Sequence, residues 1–196
     1  YFAGAPIAGA TSSSYTVTGA AAANAGNYYI VVYNGNGSVQ SDTVTLTVNA
    51  FQGSLFSWGL NDKGQLGQND TIPRSSPVQV GALTNWSTIS VFNHVVAIKT
   101  DGTLWAWGYN AQGQVGDGTT VYKSSPVQVG SSSWIAVAAG GPQSTGSASV
   151  FGIALGGGLF SWGTNSNGQL GQSDANLRSS PVQIGSSSWS AVAAGA

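Results

Sequence analysis

A chain of 196 residues with 41% hydrophobic and 10% aromatic content can bury a core as one large or two small domains, which excludes a disordered polypeptide. Only 6% of its residues are charged, against roughly 25% in ordinary soluble domains, and a net charge of −1 supplies no basic footprint for nucleic acid or an anionic membrane. The absence of Cys removes disulfides and thiolate chemistry, while the absence of Met, of an apolar run of about 18 residues and of a basic N-terminal region suggests an interior piece of a longer polypeptide.

Residues 19–26, GAAAANAG, lie between the strand-like runs YTVT and YYIVVY and are expected to form a strand-to-strand corner. Residues 28–33 then read as a strand, Asn34 to Gly37 (NGNG) as a turn, and residues 43–48 (TVTLTV) as an alternating strand, so that the unit is expected to be a hairpin with Val44, Leu46 and Val48 facing a core. The run NAGNYYI, residues 24–30, resembles the immunoglobulin-like pattern in which Gly and a corner Tyr precede the Cys of strand F. The resemblance implies that residues 1–50 are the C-terminal part of such a domain. Tyr28 would bond back to backbone, and Ile30, in the Cys position, would fill the core.

From Gly53 onward the text repeats. NDKGQLGQNDTIPRSSPVQVG from Asn61, NAQGQVGDGTTVYKSSPVQVG from Asn110 and NSNGQLGQSDANLRSSPVQIG from Asn165 are near copies. Trp58, Trp107 and Trp162 are separated by 49 and 55 residues, and Pro77, Pro126 and Pro181 keep the same intervals, a period suited to propeller blades rather than helical solenoids. Within a unit, LFSWG reads as a strand and NDKG as a turn in which Gly64 takes positive φ. Gly67, Gly116 and Gly171 are expected to let the backbone approach a neighbour, and Pro77 to open the strand PVQV. NWSTISV and VVAIKTDG follow as strands, with Asp101 and Gly102 in a tight turn. The middle unit differs in residues 140–158, expected to hold an extended loop.

These words resemble the regulator-of-chromosome-condensation repeat, whose family fold is a seven-bladed β-propeller. The resemblance covers residues 53–196, divided at about 53–101, 102–156 and 157–196. It implies an all-β chain: a partial immunoglobulin-like sandwich (1–50) followed by consecutive blades of an incomplete β-propeller (51–196). Six of the seven Trp recur at repeat positions (Trp58, Trp107, Trp162; Trp86, Trp134, Trp189) and are expected to be buried in packing, with Trp105 a core variation on Phe56 and Phe160.

Titratable groups are too few for a catalytic constellation: one His, six Asp and no Glu or Cys. His94, in VFNHVVAI, reads as a packed histidine with an internal hydrogen bond. Asp70, Asp117 and Asp174 fall in the same loop of successive units, where capping of turns is the expected role and a shared metal is not. The glycine-rich stretches lack the Lys-Ser/Thr ending of a phosphate loop. The sequons at Asn36, Asn69 and Asn85 matter only in a glycosylating host. No catalytic, metal, cofactor or ligand-binding residue is assigned, and no cofactor is expected.

The resulting expectation is a non-enzymatic structural or adhesive segment of a larger virion protein (phage fibre, tail or decoration). It would present loops such as residues 142–149 to a host surface. Its partners would be other copies or neighbouring structural proteins and a cell-surface glycan or receptor, without nucleic acid or membrane insertion, at the virion or extracellular surface. The alternatives are a secreted bacterial adhesin and a propeller-type protein-binding regulator or inhibitor, since function lives in loops grafted on the scaffold.

Overall fold

In the computed structural model, which describes residues 1–17, 24–47, 53–141 and 147–195, every regular element is a β-strand. The chain divides into two units, Tyr1–Ala50 and Phe51–Ala196.

The first unit contains two separate ribbons. β1 (Gly26–Tyr28) pairs antiparallel with β4 (Val44–Leu46), whereas β2 (Val31–Asn34) pairs with β3 (Gly37–Gln40). The expected hairpin between residues 28–33 and 43–48 is therefore corrected. The turn at Gly35 and Asn36, closed by Asn34 Oδ1 accepting the Asn36 N–H at 2.9 Å, folds the chain back at once, so Val32 faces Val39. Tyr28 does bond back to backbone, its hydroxyl donating to the Asn24 carbonyl at 2.8 Å. Burial of Ile30 and Val44 does not follow: they are 61% and 68% exposed, because no second sheet covers them among the described residues. With Tyr15, Tyr29 and Leu46 they line an open groove of about 490 Å³. The corner at residues 19–26 lies largely outside the described residues, and so does Val48.

The second unit opens with a two-stranded ribbon, β5 (Phe56–Gly59) with β6 (Arg74–Gln79). A seven-stranded antiparallel sheet follows in strict sequence order: β7 (Trp86–Val91), β8 (His94–Lys99), β9 (Thr103–Gly108), β10 (Lys123–Gly140), β11 (Ser149–Ala154), β12 (Gly158–Gly163) and β13 (Arg178–Ser188). Its 18-residue β10 belongs to two blades. Residues 123–133 pair with β9, and residues 134–140 pair with β11. The result is two four-stranded meanders, preceded by the β5–β6 ribbon, consistent with consecutive blades of an incomplete propeller.

Alternation along β8 explains the packing. Val95 and Ala97 join Trp86, Trp107 and Val80 on one face, while Val96 and Ile98 join Leu104, Val115, Trp134 and Trp162 on the other. A blade covered on both faces needs a strand without a polar side, which is why HVVAIK reads as an almost continuous apolar run. Pro77 does not open its strand. It lies inside β6 at the register irregularity between Arg74 and Val78, where no ladder donor is required, and Pro126 and Pro181 occupy the same irregularity in β10 and β13. The middle unit's extra residues fall in the β10–β11 hairpin, of which 142–146 lie outside the described residues.

Candidate functional site

After the third strand of each blade the chain enters a loop organised by one buried amide. Asn61, Asn110 and Asn165 each accept a backbone N–H on Oδ1, from Leu66, Val115 and Leu170 at 2.9, 2.8 and 2.9 Å. Each also donates from Nδ2 to a pair of carbonyls further along: Asp70 and Ile72, Thr119 and Val121, Asp174 and Asn176. The Gln four residues on folds back, so that Gln65, Gln114 and Gln169 Oε1 accept the N–H of Lys63, Gln112 and Asn167. Reading these residues as ordinary turn formers missed their role. The signal was present in their threefold recurrence at one spacing.

The loop of one repeat is the seat for the next. Trp107 Nε1 donates to the Gln65 carbonyl at 3.1 Å and Trp162 Nε1 to the Gln114 carbonyl at 2.9 Å. The indoles lie so close to the loop that a Cβ added at Gly67 or Gly116 would stand 2.8 or 2.7 Å from Nε1. Beside them Asn69 N–H donates to the Ser124 carbonyl and Gly118 N–H to the Ser179 carbonyl, at 2.7 and 2.8 Å. Thr164 adds a hydroxyl hydrogen bond to Gln112 Oε1. Gly171, the third copy, has nothing nearer its virtual Cβ than Ile184 at 3.8 Å.

Equivalent burial of the three SWG/AWG tryptophans is accordingly corrected. Trp107 and Trp162 are 1% and 0% exposed, but Trp58 is 60% exposed, and among the described residues no loop seats its indole. Trp189 is 46% exposed, whereas its counterparts Trp86 and Trp134 pack against Trp107 and Trp162 with centroids 5.8 Å apart. Trp105 packs against the cluster of Val80, Trp86 and Trp107, as Phe160 does against the next one, and it also meets a cation. Its ring lies 3.4 Å from Lys99 Nζ, which also sits 5.1 Å from the Trp86 ring. Burial lowers the Lys99 pKa from its usual range, opposed by Asp101.

The aspartates cap turns, and each also holds a cation. Asp70 Oδ1 accepts the Ile72 N–H at 3.0 Å and Oδ2 pairs with Arg74 at 2.6 Å; Asp174 repeats this with Asn176 and Arg178. Those backbone bonds first, and the guanidinium second, hold both carboxyls below their ordinary range. Asp117 stands two positions earlier in its loop, with Thr119 in the place of Asp70, and pairs with Lys123 at 2.9 Å. Burial there pushes the carboxyl up, but bonds from Lys123 and Thr119 outweigh it and the net shift is downward. The cation just before each SSP was the sequence signal for these pairs.

His94 is fully buried, with Nδ1 2.9 Å from Asn93 Oδ1 and Nε2 without a hydrogen-bond partner. With the Asn93 amide oxygen as acceptor, Nδ1 carries the hydrogen. Burial lowers the His94 pKa to about 4. Asp70, Asp117, Asp174 and His94 do not converge, and among the described residues no group of three or more His, Cys, Asp or Glu side chains could hold a metal. Asn36 and Asn69 are exposed, while Asn85 is partly buried with an unpaired buried amide oxygen.

The positions that vary between repeats gather at the loop end. A basin of about 560 Å³ is lined by Leu60, Lys63, Phe92, Asn93 and Tyr109 among others. Tyr109 packs against Tyr122 with the rings tilted by 37° and 5.0 Å apart, and Lys63 Nζ lies 5.9 Å from the Tyr122 ring. Leu60, Tyr109 and Thr164 occupy one repeat position, as do Lys63, Gln112 and Asn167. Aromatics around a shallow basin whose only charges are the paired Asp62 and Lys63 suit contact with another macromolecule better than bond chemistry.

Comparison with known proteins agrees with the repeat reading. The family model described as "Regulator of chromosome condensation (RCC1) repeat" matches residues 52–98, 101–145 and 156–196. No curated protein matches the chain in sequence. Among solved structures, human WBSCR16 is similar at 24% identity and a TM-score of 0.56, covering 73% of this chain and 37% of that one. Prp20p from Saccharomyces cerevisiae, in a study of its binding to Gsp1p and histones, is similar at 22% identity and a TM-score of 0.58, with 68% and 34% covered. A structure of Kap60 bound to yeast RCC1 (Prp20) is similar at 17% identity and a TM-score of 0.56, with 86% and 48% covered. The chain thus spans between a third and a half of the solved chains it matches, and at these identities the likeness is one of fold.

Proposed function

The chain belongs to the RCC1 repeat family, and we propose that it is a non-enzymatic binding segment that holds a protein partner at the loop-end basin of Leu60, Lys63, Phe92 and Tyr109, with Tyr122 packed beside Tyr109. The observation that carries this is the division of labour among repeat positions. The Gln carbonyl, the Gly and the indole that meet at each junction are identical in all three copies, whereas Leu60, Lys63 and Tyr109, at positions that differ, line the basin exposed or half-buried. Protein partners named for the yeast neighbour support the class of ligand. With a net charge of −1 the partner is not expected to be a polyanion. Affinity capture with the wild-type chain and a Tyr109→Ala/Tyr122→Ala variant tests it. At least one protein should be retained by the first and lost from the second at equal folded concentration; a set of bound proteins indifferent to both tyrosines overturns it.

A second reading, a structural or adhesive segment at a virion or extracellular surface (phage fibre, tail or decoration protein, or secreted bacterial adhesin), is favoured by the 6% charge content and the Ser, Thr, Asn and Gly-rich surface, which suit glycan contact. In it residues 1–50 are the end of an immunoglobulin-like domain, for which the Tyr28–Asn24 bond is the support. Antibody labelling of intact particles or cells decides this: an epitope inaccessible on every such surface removes the reading.

A further inference from the structure

Asparagine followed by glycine occurs three times in the chain, at Asn34, Asn36 and Asn167. In such a pair the backbone nitrogen of the second residue can attack the side-chain carbonyl carbon of the first, and glycine has no Cβ to obstruct the succinimide ring that forms. The reaction needs that nitrogen free. In two of the three pairs the fold keeps it occupied. Gly168 N–H donates to the Asn165 carbonyl at 3.0 Å, inside the loop built on the buried Asn165 amide. Gly37 is registered opposite Asn34 across a two-residue loop, so its N–H closes the turn on the Asn34 carbonyl.

Asn34 differs from both. Gly35 N–H has no hydrogen-bond partner among the described residues, and both residues are exposed at the β2–β3 turn. The Asn34 carboxamide is anchored beside this nitrogen, because Oδ1 accepts the Asn36 N–H at 2.9 Å and the ring closed by that bond contains the Gly35 nitrogen. The same N–H stabilises the negative charge that gathers on Oδ1 when Cγ is attacked, as an oxyanion donor does. A Cβ built at Gly35 meets nothing within 4 Å, so base and water can approach. All of these bonds are internal to one hairpin or one loop and do not depend on a neighbouring blade or sheet.

We propose that Asn34 is a modification site that loses its amide spontaneously in the folded protein, while Asn36 and Asn167 are protected. The Gly35 nitrogen gives its proton to hydroxide or a buffer base and bonds to Asn34 Cγ; the Cγ–Nδ2 bond then breaks and the amide leaves as ammonia. Water opens the succinimide at either carbonyl and leaves aspartate or isoaspartate at position 34, with no change of oxidation state. Either product places a new negative charge on the turn and takes the formal net charge from −1 to −2. Isoaspartate also adds a backbone carbon to a two-residue loop, so the closing pair of Asn34 with Gly37 and the Val32–Val39 pair behind it lose their register. The β2–β3 ribbon therefore changes charge and shape with the age of the protein.

Incubation of the folded chain in mildly alkaline buffer, with its peptides sequenced by mass spectrometry over time, tests this. Asn34 is expected to convert first, with Asn36 and Asn167 at least about fivefold slower, the penalty of first breaking a backbone hydrogen bond. In denaturant the three pairs should react at closely similar rates. Gly35→Ala, whose Cβ meets no atom within 4 Å, should keep the fold and remove the lead of Asn34. If Asn36 or Asn167 keeps pace with Asn34 in the folded chain, or Asn34 stays intact there while the denatured chain converts, the proposal is overturned. A lead that persists undiminished in denaturant overturns it too, because the selectivity then belongs to the local sequence and not to the turn. Retention of the lead in Gly35→Ala has the same force, since it removes attack by the nitrogen of residue 35 as the route.

Discussion

The indole N–H of Trp162 donates to the backbone carbonyl of Gln114 at 2.9 Å, 48 residues earlier in the chain, and Trp107 does the same to Gln65 at 3.1 Å. One side chain thereby ends the core of its own blade and locks the loop of the one before. Stability should depend on where in the array a tryptophan sits rather than on its being a tryptophan. Trp162→Ala is expected to cost about 3–5 kcal/mol through cavity and lost burial, whereas Trp58→Ala, at a mostly exposed site, should cost less than about 1 kcal/mol. Urea unfolding of dilute protein measures both, and equal losses would contradict the packing described.

The glycines facing those indoles give a second contrast. At Gly116 a Cβ would meet Trp162 Nε1 at 2.7 Å and φ is +81°, so Gly116→Ala combines overpacking of about 1–3 kcal/mol with backbone strain of about 1 kcal/mol. Gly171→Ala carries the strain alone, because its nearest neighbour is 3.8 Å away. In monomeric protein the first should lower the unfolding midpoint markedly more than the second.

Legibility in the sequence followed the reach of each interaction. Gly67 and Gly116 could be read as close approaches because the same contact recurs and only a residue without Cβ satisfies it. The succession of repeat blades was readable for the same reason, whereas the pairing within residues 24–47 was not. Burial of Trp58, Ile30 and Val44 could not be read, since it depends on a neighbouring loop or facing sheet that no local pattern specifies. Asn61, Asn110 and Asn165 were hidden by their chemistry: amides in a polar loop look solvated, and only the bonds to Leu66, Val115 and Leu170 show that they are its core. The basin beside Tyr109 was illegible because most of its lining lies at positions that differ between the repeats.

His94 gives the chain a pH response in a window no other side chain shares, since it is the one His in the sequence. Its pKa is lowered to about 4 in the folded state from an ordinary 6.5, so the unfolded chain takes the proton first. The contribution is complete above pH 6.5 and is lost as pH falls toward 4. About 2 kcal/mol should disappear between pH 6.5 and 5. His94→Leu should flatten that segment of the stability profile, and a variant with the wild-type slope would show that the titration lies elsewhere.

Asp117 and Asp62 separate a structural ion pair from a superficial one. Asp117 pairs with Lys123 at 2.9 Å with the side chains 12% and 23% exposed, and its carboxylate also accepts from Thr119 N–H and Oγ1 at 3.0 and 2.7 Å. Asp62 pairs with Lys63 at 3.1 Å with both side chains at least 40% exposed. Asp117→Asn keeps the volume but leaves a half-buried ammonium without its counter-charge, at an expected cost of about 1–3 kcal/mol. Asp62→Asn should lie within about 0.5 kcal/mol of wild type, as exposed pairs do. Because the Asp117 pKa is lowered in the fold, its contribution is present above the ordinary carboxylate range and lost as pH falls below it. The gap between the two variants should therefore be widest near neutrality and close in acid. Denaturation at pH 7 and pH 3 measures it, and a gap undiminished at pH 3 would mean that the loss at Asp117 is one of packing rather than charge.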